Sequence, residues 1–311
     1  MAHTKMQLAS LARSLQAKLN NEARRRGVTA DVIRKQYIFT VFLSRLFSPE
    51  PQAPWVLLGG NALLIRTGGG RFTQDIDLAR ESEWASSNDV RAELQSLADA
   101  SADRDPFTFV VVAVEPHSEP DPFDYGAKTA KARVQALLGA QVFDTFTIDL
   151  TERRHLDAPV DQVPLRAVIE HDTLSHLPSV PTTPLENHLA DKVCAMYERH
   201  GRDGDSPSTR YRDLADIVRI LDAGPIDTAR LKEVLDRESG RRRITLPSRM
   251  EAPAEEWRIA FPRQARTFAE YSSKLYELDA SLDETRPCLD PILSGKRTSG
   301  TWVPEKRAWS D

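Results

Sequence analysis

Leu8, Leu11, Leu15 and Leu19 recur at spacings of three and four, which predicts an amphipathic helix over residues 5–26, closed by Arg24-Arg25-Arg26-Gly27. A second helix is expected over Thr29–Phe47, dense in aromatic and leucine positions after Tyr37, before Pro49, Pro51 and Pro54 break the chain. From Trp55 the pattern changes. An apolar run, Trp55–Leu58, meets Gly59-Gly60, and a short helical segment follows at Ala62–Ile65. A glycine-rich link, Gly68–Gly70, and Arg71 then lead to a strand that reads Asp75-Ile76-Asp77-Leu78. Side chains at i and i+2 of a strand share a face, so Asp75 and Asp77 stand together while Ile76 and Leu78 turn to the core.

Further on, Val90–Ala98 reads as a helix, Phe107–Val114 as a strand, and Pro116–Asp124 as a polar loop. Gly126–Leu138 and Gln141–Leu150 read as two strands joined by a Leu-Gly-Ala turn. On the first, Thr129, Lys131 and Arg133 share a face opposite Ala130, Ala132 and Val134, and Lys128 points the other way; the second carries Asp149 near its end. Asp157–Val180 is a proline-punctuated link with weak strand character. Helices follow: Pro184 to about His200, with a stripe of Leu185, Leu189, Val193 and Met196 and Lys192 at its edge; Arg210–Leu221, with Arg210, Asp213 and Asp216 at i, i+3 and i+6; and Ile226–Glu238. Residues 255–293 look largely helical, with a stripe of Phe268, Tyr271, Leu275 and Leu278 and interruptions at Pro287 and Pro291; no regular element is assigned to 294–311. The fold expected is an α/β (α+β) domain with a mixed sheet over 51–180. It is preceded by helices over 1–50 that pack on it and followed by a mainly helical domain over 181–293 and a tail over 294–311.

The chain has 311 residues, 40% of them hydrophobic and 28% charged, with a net charge of -4, which argues against indiscriminate coating of nucleic acid but leaves room for a local basic groove. Cys194 and Cys288 lack zinc or redox spacing, so a reducing, cytoplasmic setting is expected, and Cys194 falls among core positions. The polar N-terminus does not read as a secretory signal and no run of eighteen apolar residues suggests a membrane span. The seven histidines form no metal-binding spacing, and Gly68–Gly70 lacks the GxxxxGK[ST] order of a phosphate-binding loop. The chemistry therefore concentrates on the carboxylates. Two like charges side by side raise each other's pKa unless a cation neutralises them. Hard oxygen ligands suit Mg²⁺, with Mn²⁺ as the alternative, and a phosphate can complete such a site.

Gly59-Gly60 followed, after fourteen residues, by Asp75-Ile76-Asp77 resembles the signature of the DNA polymerase β-like nucleotidyltransferases. PLENHLADKVCAMYER over Pro184–Arg199 and RYRDLADI over Arg210–Ile217 narrow this to the AbiEii/AbiGii-type toxin nucleotidyltransferases, a bacterial family of two-gene toxin–antitoxin systems. The resemblance implies a backbone turn at Gly59 and Gly60 that approaches nucleotide phosphates; many relatives carry serine at Gly60, so a hydroxyl contact is missing here. It implies a metal pair at Asp75 and Asp77 with Asp149 as third carboxylate, a triphosphate-holding Lys192, and a functional Asp213 preceded by Arg210. Arg71 is a second candidate for phosphate contact, and Thr73 one for ordering that loop. The activity implied is transfer of a nucleoside monophosphate from an NTP to an RNA acceptor, the tRNA 3′ end, blocking translation until a cognate antitoxin counters it.

Several residues keep two readings. Asp149 is a ligand or a cap, Arg210 meets phosphate or pins Asp213, and Asp216 is a structural charge. Lys131 with Arg133, and the Arg24–Arg26 cluster, are solvated surface or RNA contacts. Nucleotidylation of a protein or small molecule shares the same chemistry, and a non-catalytic nucleotide- or partner-binding module on the same fold is the alternative from a different class. The sequence is silent on the base transferred and on the oligomeric state.

Overall fold

The computed structural model describes residues 5–49, 51–69, 72–80, 82–100, 105–117, 129–152, 160–175, 177–201 and 206–311. Contacts divide the chain into two units: Met1–Gly68 with Phe72–Thr183, and Gly69–Arg71 with Pro184–Asp311.

In the first unit α1 (Lys5–Arg26) and α2 (Ala30–Phe47) precede β1 (Val56–Leu58), α3 (Gly59–Thr67), β2 (Asp75–Arg80), α4 (Ser87–Asp99), β3 (Phe107–Pro116), β4 (Thr129–Leu138), β5 (Gln141–Glu152), β6 (Asp161–Pro164) and β7 (Ser179–Thr182). These strands form a mixed sheet in the order β3-β4-β5-β2-β1-β7-β6, parallel at β2–β5 and β1–β7 and antiparallel elsewhere. The link expected over Asp157–Val180 thus supplies the two strands that extend the sheet beyond β1. The expected polar loop beyond His117, Lys128, and Asp157 at the start of that link lie outside the described residues.

One face of the sheet carries the core. Ile76, Leu78, Ile148, Leu150, Ala130, Ala132 and Val134 alternate inward and meet buried side chains of α1 to α4. The second half of α2, from Gln36 to Phe47, is buried all round. A helix apolar on every side needs a cover on each, and α1 supplies one with Leu15, Leu19 and Ala23. Edge-on ring contacts fix α2 to the sheet: Phe42 to Phe109 and Phe146 at 5.2 and 5.3 Å, and Phe39 to Phe146 at 5.2 Å. Arg45 is the one charged residue in this buried stretch. It is 1% exposed; its Nε and Nη2 donate to Asp105 at 2.8 and 2.5 Å, its Nη1 donates to the Ala98 carbonyl, and its Nη2 also donates to the Phe107 carbonyl.

In the second unit come α5 (Leu185–Tyr197), β8 (Arg199–His200), β9 (Ser206–Pro207), α6 (Tyr211–Ala223), β10 (Ile226–Asp227), α7 (Thr228–Arg241), α8 (Trp257–Ala265), α9 (Leu278–Leu293), β11 (Thr301–Val303) and β12 (Ala308–Ser310). Three expectations are corrected. Pro287 and Pro291 do not interrupt the last helix, because Leu278, Leu282, Thr285, Cys288, Leu289 and Ile292 form an unbroken buried stripe through α9 while Pro287 stays on its exposed side. Phe268, Tyr271, Leu275 and Leu278 do not share one helix; Glu270 takes a left-handed φ of 53° and a short 3-10 turn spans Ser273–Leu275. Residues 301–310 are regular: β11 pairs with β10 and β12 with β11, Trp302 is fully buried, and its indole donates to the Leu221 carbonyl at 2.9 Å. No helix of the described residues is long and apolar enough to cross a membrane.

The Arg45–Asp105 pair gives a direct test of this packing. Asp105→Ala leaves a buried guanidinium uncompensated, and a loss of about 3–5 kcal/mol is expected in urea unfolding. An unchanged midpoint would show that the pair holds nothing.

Candidate active site

Where β1 turns into α3, the chain can take only glycine at position 59. Gly59 has φ of 62°, and a Cβ there would lie 1.9 Å from the Asp77 Oδ2. The turn is thus moulded against one of the two carboxylates. Two residues on, buried Asn61 donates its side-chain amide to the backbone carbonyl of Asp75 at 2.7 Å. The Thr73 hydroxyl reaches the same carbonyl at 3.0 Å, and Gln36 of α2 donates to the Thr73 carbonyl at 3.4 Å. The start of β2 is therefore fixed from α3, from its own loop and from the central helix. Gly68 closes α3 with φ of 73° and an N–H bond to the Leu64 carbonyl, so this glycine is a helix cap.

The sheet register then sets the chemistry. β2 and β5 run parallel with Asp77 opposite Asp149 and Asp75 opposite Thr147. β5 and β4 run antiparallel with Asp149 opposite Lys131 and Thr147 opposite Arg133. One row across the sheet reads Leu58, Asp77, Asp149, Lys131, Glu115, and the row beside it reads Asp75, Thr147, Arg133, Ala113. Neighbours in such rows point the same way, with side chains roughly 5 Å apart. All three carboxylates therefore stand on the face opposite the helical core. On that face Val56, Leu58 and Ala79 form a small separate apolar cluster. Lys131 Nζ lies 3.1 Å from Asp149 Oδ1.

Among the described residues no group of three or more His, Cys, Asp or Glu side chains is drawn together tightly enough to hold a metal. The donor set nonetheless fits a hard divalent cation: all-oxygen, anionic, on adjacent strands, with Asp77 seated against a turn that leaves no room for a side chain.

In the second unit Lys192, beside the stripe of Leu185, Leu189, Val193 and Met196, is buried in α5. Its Nζ lies 3.1 Å from Asp213 Oδ1 and 3.4 Å from Asp216 Oδ2 on α6. Arg210 Nε lies 2.6 Å from the other Asp213 oxygen, an ion pair in which the arginine side chain stays 46% exposed. Arg219 approaches Asp216 at 3.7 Å and lies over the Tyr271 ring. From the N-cap of α6 onward these groups recur every third residue, Arg210, Asp213, Asp216, Arg219, with Lys192 between the two carboxylates.

Gly60 sits in the first turn of α3, and Arg71 lies outside the described residues. Asn61 and Arg219 went unassigned in the sequence; a polar residue buried in the apolar run GGNALLI was the available signal for the first. Cys194 is fully buried, and burial pushes its thiol up to about 12, which fits a core position.

The sequence profile of the family described as "Nucleotidyl transferase AbiEii toxin, Type IV TA system" matches residues 41–284. The chain belongs to the AbiEii nucleotidyltransferase toxin family. No curated protein sequence matches it. Among solved structures it is similar to MenT4, a nucleotidyltransferase toxin from Mycobacterium tuberculosis H37Rv. The TM-score is 0.55 at 16% identity, covering 90% of this chain and 89% of that one, a likeness of fold. A weaker likeness, TM-score 0.44 at 14% identity, is to JHP933 from Helicobacter pylori, covering 86% and 94% of the two chains.

As an AbiEii toxin the protein is a nucleotidyltransferase of a type IV toxin–antitoxin system, and the family implies a cognate antitoxin. Its mixed-sheet α/β architecture agrees with that of MenT4. For this AbiEii toxin, Gly59→Ala adds a methyl group where Asp77 Oδ2 stands, on a backbone that disfavours any side chain by about 1 kcal/mol. Nucleotidyl transfer is expected to fall by about 100-fold or more with the far-UV circular dichroism unchanged. Retained activity would separate Asp77 from the chemistry.

Proposed function

We propose that this toxin transfers a nucleoside monophosphate from an NTP to RNA, at the 3′ end of tRNA in the cytoplasm, with a divalent cation held by Asp75, Asp77 and Asp149. The observation that carries this reading is the register that puts Asp77 beside Asp149, with Asp75 on the same face. Mg²⁺, or Mn²⁺ in its place, supplies charge neutralisation of the triphosphate and a lowered pKa for the attacking hydroxyl. The acceptor oxygen forms a bond to the α-phosphorus, the bond to the bridging oxygen breaks, and pyrophosphate leaves. Asp75 and Asp77 hold and orient, and Asn61 with Thr73 keeps the Asp75 backbone from moving as charge redistributes. At the start of α3, Gly59 and Gly60 leave the backbone N–H groups accessible to phosphate, with the positive end of the helix dipole behind them.

In the second unit we assign neutralisation of phosphate charge to Lys192, with Asp213 and Arg210 fixing it in place; the ion pairs that hold the lysine against α6 support the assignment. Its burial between two carboxylates makes it a fixed cation rather than a mobile one. A tRNA extended at its 3′ end cannot be charged, which accounts for a block of translation. Arg71 remains a candidate for phosphate contact by its place in the sequence alone.

Incubating the protein with total tRNA and each α-labelled NTP in turn, with Mg²⁺ or Mn²⁺, tests the reading. Label is expected at the tRNA 3′ end, lost on chelation and reduced by about 1000-fold or more in Asp77→Asn. No transfer from any of the four nucleotides, or label carried by protein instead of RNA, would overturn it.

A further inference from the structure

We infer that Lys131 and Arg133 of β4 form the docking edge for the acceptor RNA, binding backbone phosphates of its single-stranded end beside the carboxylates. The inference rests on the RNA-transfer reading above and names where the second substrate lies. Nucleotidyl transfer brings two polyanions to one place. Carboxylates around a divalent cation suit the triphosphate but repel the acceptor's backbone, which needs cations of its own close by. The sheet provides them on the next strand. Lys131 is the cross-strand neighbour of Asp149, and Arg133 is that of Thr147, which in turn neighbours Asp75. Both basic side chains are exposed, on the same face as the carboxylates, and two residues apart on one strand, a separation of roughly 7 Å. The residues that flank Arg133, Thr147 and Ala113, are small, and Arg133 has no acidic partner among the described residues.

The Lys131–Asp149 contact gives this edge a second consequence. Its side chains are 48% and 37% exposed, and an ion pair so open to water contributes about 0–1 kcal/mol. A phosphate can therefore take Lys131 from Asp149 at little cost. The lysine exchanges one anion for another, and Asp149 is released toward Asp77. Acceptor docking thus removes the cation that competes for Asp149 and tightens a carboxylate set that is already in register.

Binding of fluorescent tRNA, followed by anisotropy over a series of salt concentrations, tests this with Arg133→Gln and Lys131→Gln. Arg133→Gln leaves the Lys131–Asp149 pair in place. Each variant is expected to weaken RNA binding on the order of tenfold and to flatten the slope of log affinity against log salt by ~0.7, one phosphate contact to a single strand. In Arg133→Gln the KM for NTP stays at the wild-type value. Wild-type RNA affinity and slope in both variants would overturn the inference, as would a wild-type protein that binds no RNA. If the variants keep RNA binding but lose the antitoxin, the edge is a protein interface and the inference is again overturned. If the variants lose RNA binding as expected while the wild-type protein transfers nothing to RNA, the docking edge stands and the transfer reading alone fails.

Discussion

The parallel pairing of β2 with β5 is the constraint on which the rest of the first unit depends. It sets Asp77 beside Asp149, and the alternation of each strand then leaves no choice about the other face. Ile76, Leu78, Ile148 and Leu150 must enter the core for the carboxylates to stand outside it. A slip of β2 by one residue would turn Asp75 and Asp77 inward and expose Ile76 and Leu78, so the hydrophobic effect that folds the unit also aligns the site. The all-round burial of α2 strengthens this, because the helix that the inward side chains pack on is itself fixed by aromatic contacts and by Arg45.

Backbone detail refines what the register begins. Gly59 is shaped by the Asp77 carboxylate, and Asn61 and Thr73 converge on the Asp75 carbonyl. Groups held in this way lose little freedom when a ligand arrives, which is the condition for precise positioning. The ladder of α6 with Lys192 follows another logic. Asp213 and Asp216 are buried there against the one Lys192, and removing the lysine strips both of a partner, so the charge pattern is bound to stability.

Much of this was legible in the sequence because two periodicities carry it. The alternation of Lys131 and Arg133 with Ala130, Ala132 and Val134 gave the faces of β4, and spacings of three and four gave α1, α5 and α6. Local propensity misled where tertiary packing decides. Two prolines argued against one continuous α9, but the buried stripe runs past both. The last residues carried no motif, yet a single tryptophan finds a core and a carbonyl there. The contacts of Arg45 with Asp105 and of Asn61 with Asp75 join positions whose proximity no sequence spacing announces. The two rows that link Asp77 to Lys131 and Asp75 to Arg133 likewise needed the strand order, which one sequence leaves open.

The central claim is that the in-register carboxylates of β2 and β5 hold one divalent ion as a set. Calorimetric titration of Mn²⁺ into the protein with a non-hydrolysable NTP analogue, for the wild type and for Asp75→Asn, Asp77→Asn and Asp149→Asn, measures this most directly. Each substitution is expected to weaken Mn²⁺ binding by about tenfold or more with the fold intact. Wild-type affinity in Asp77→Asn would contradict the claim.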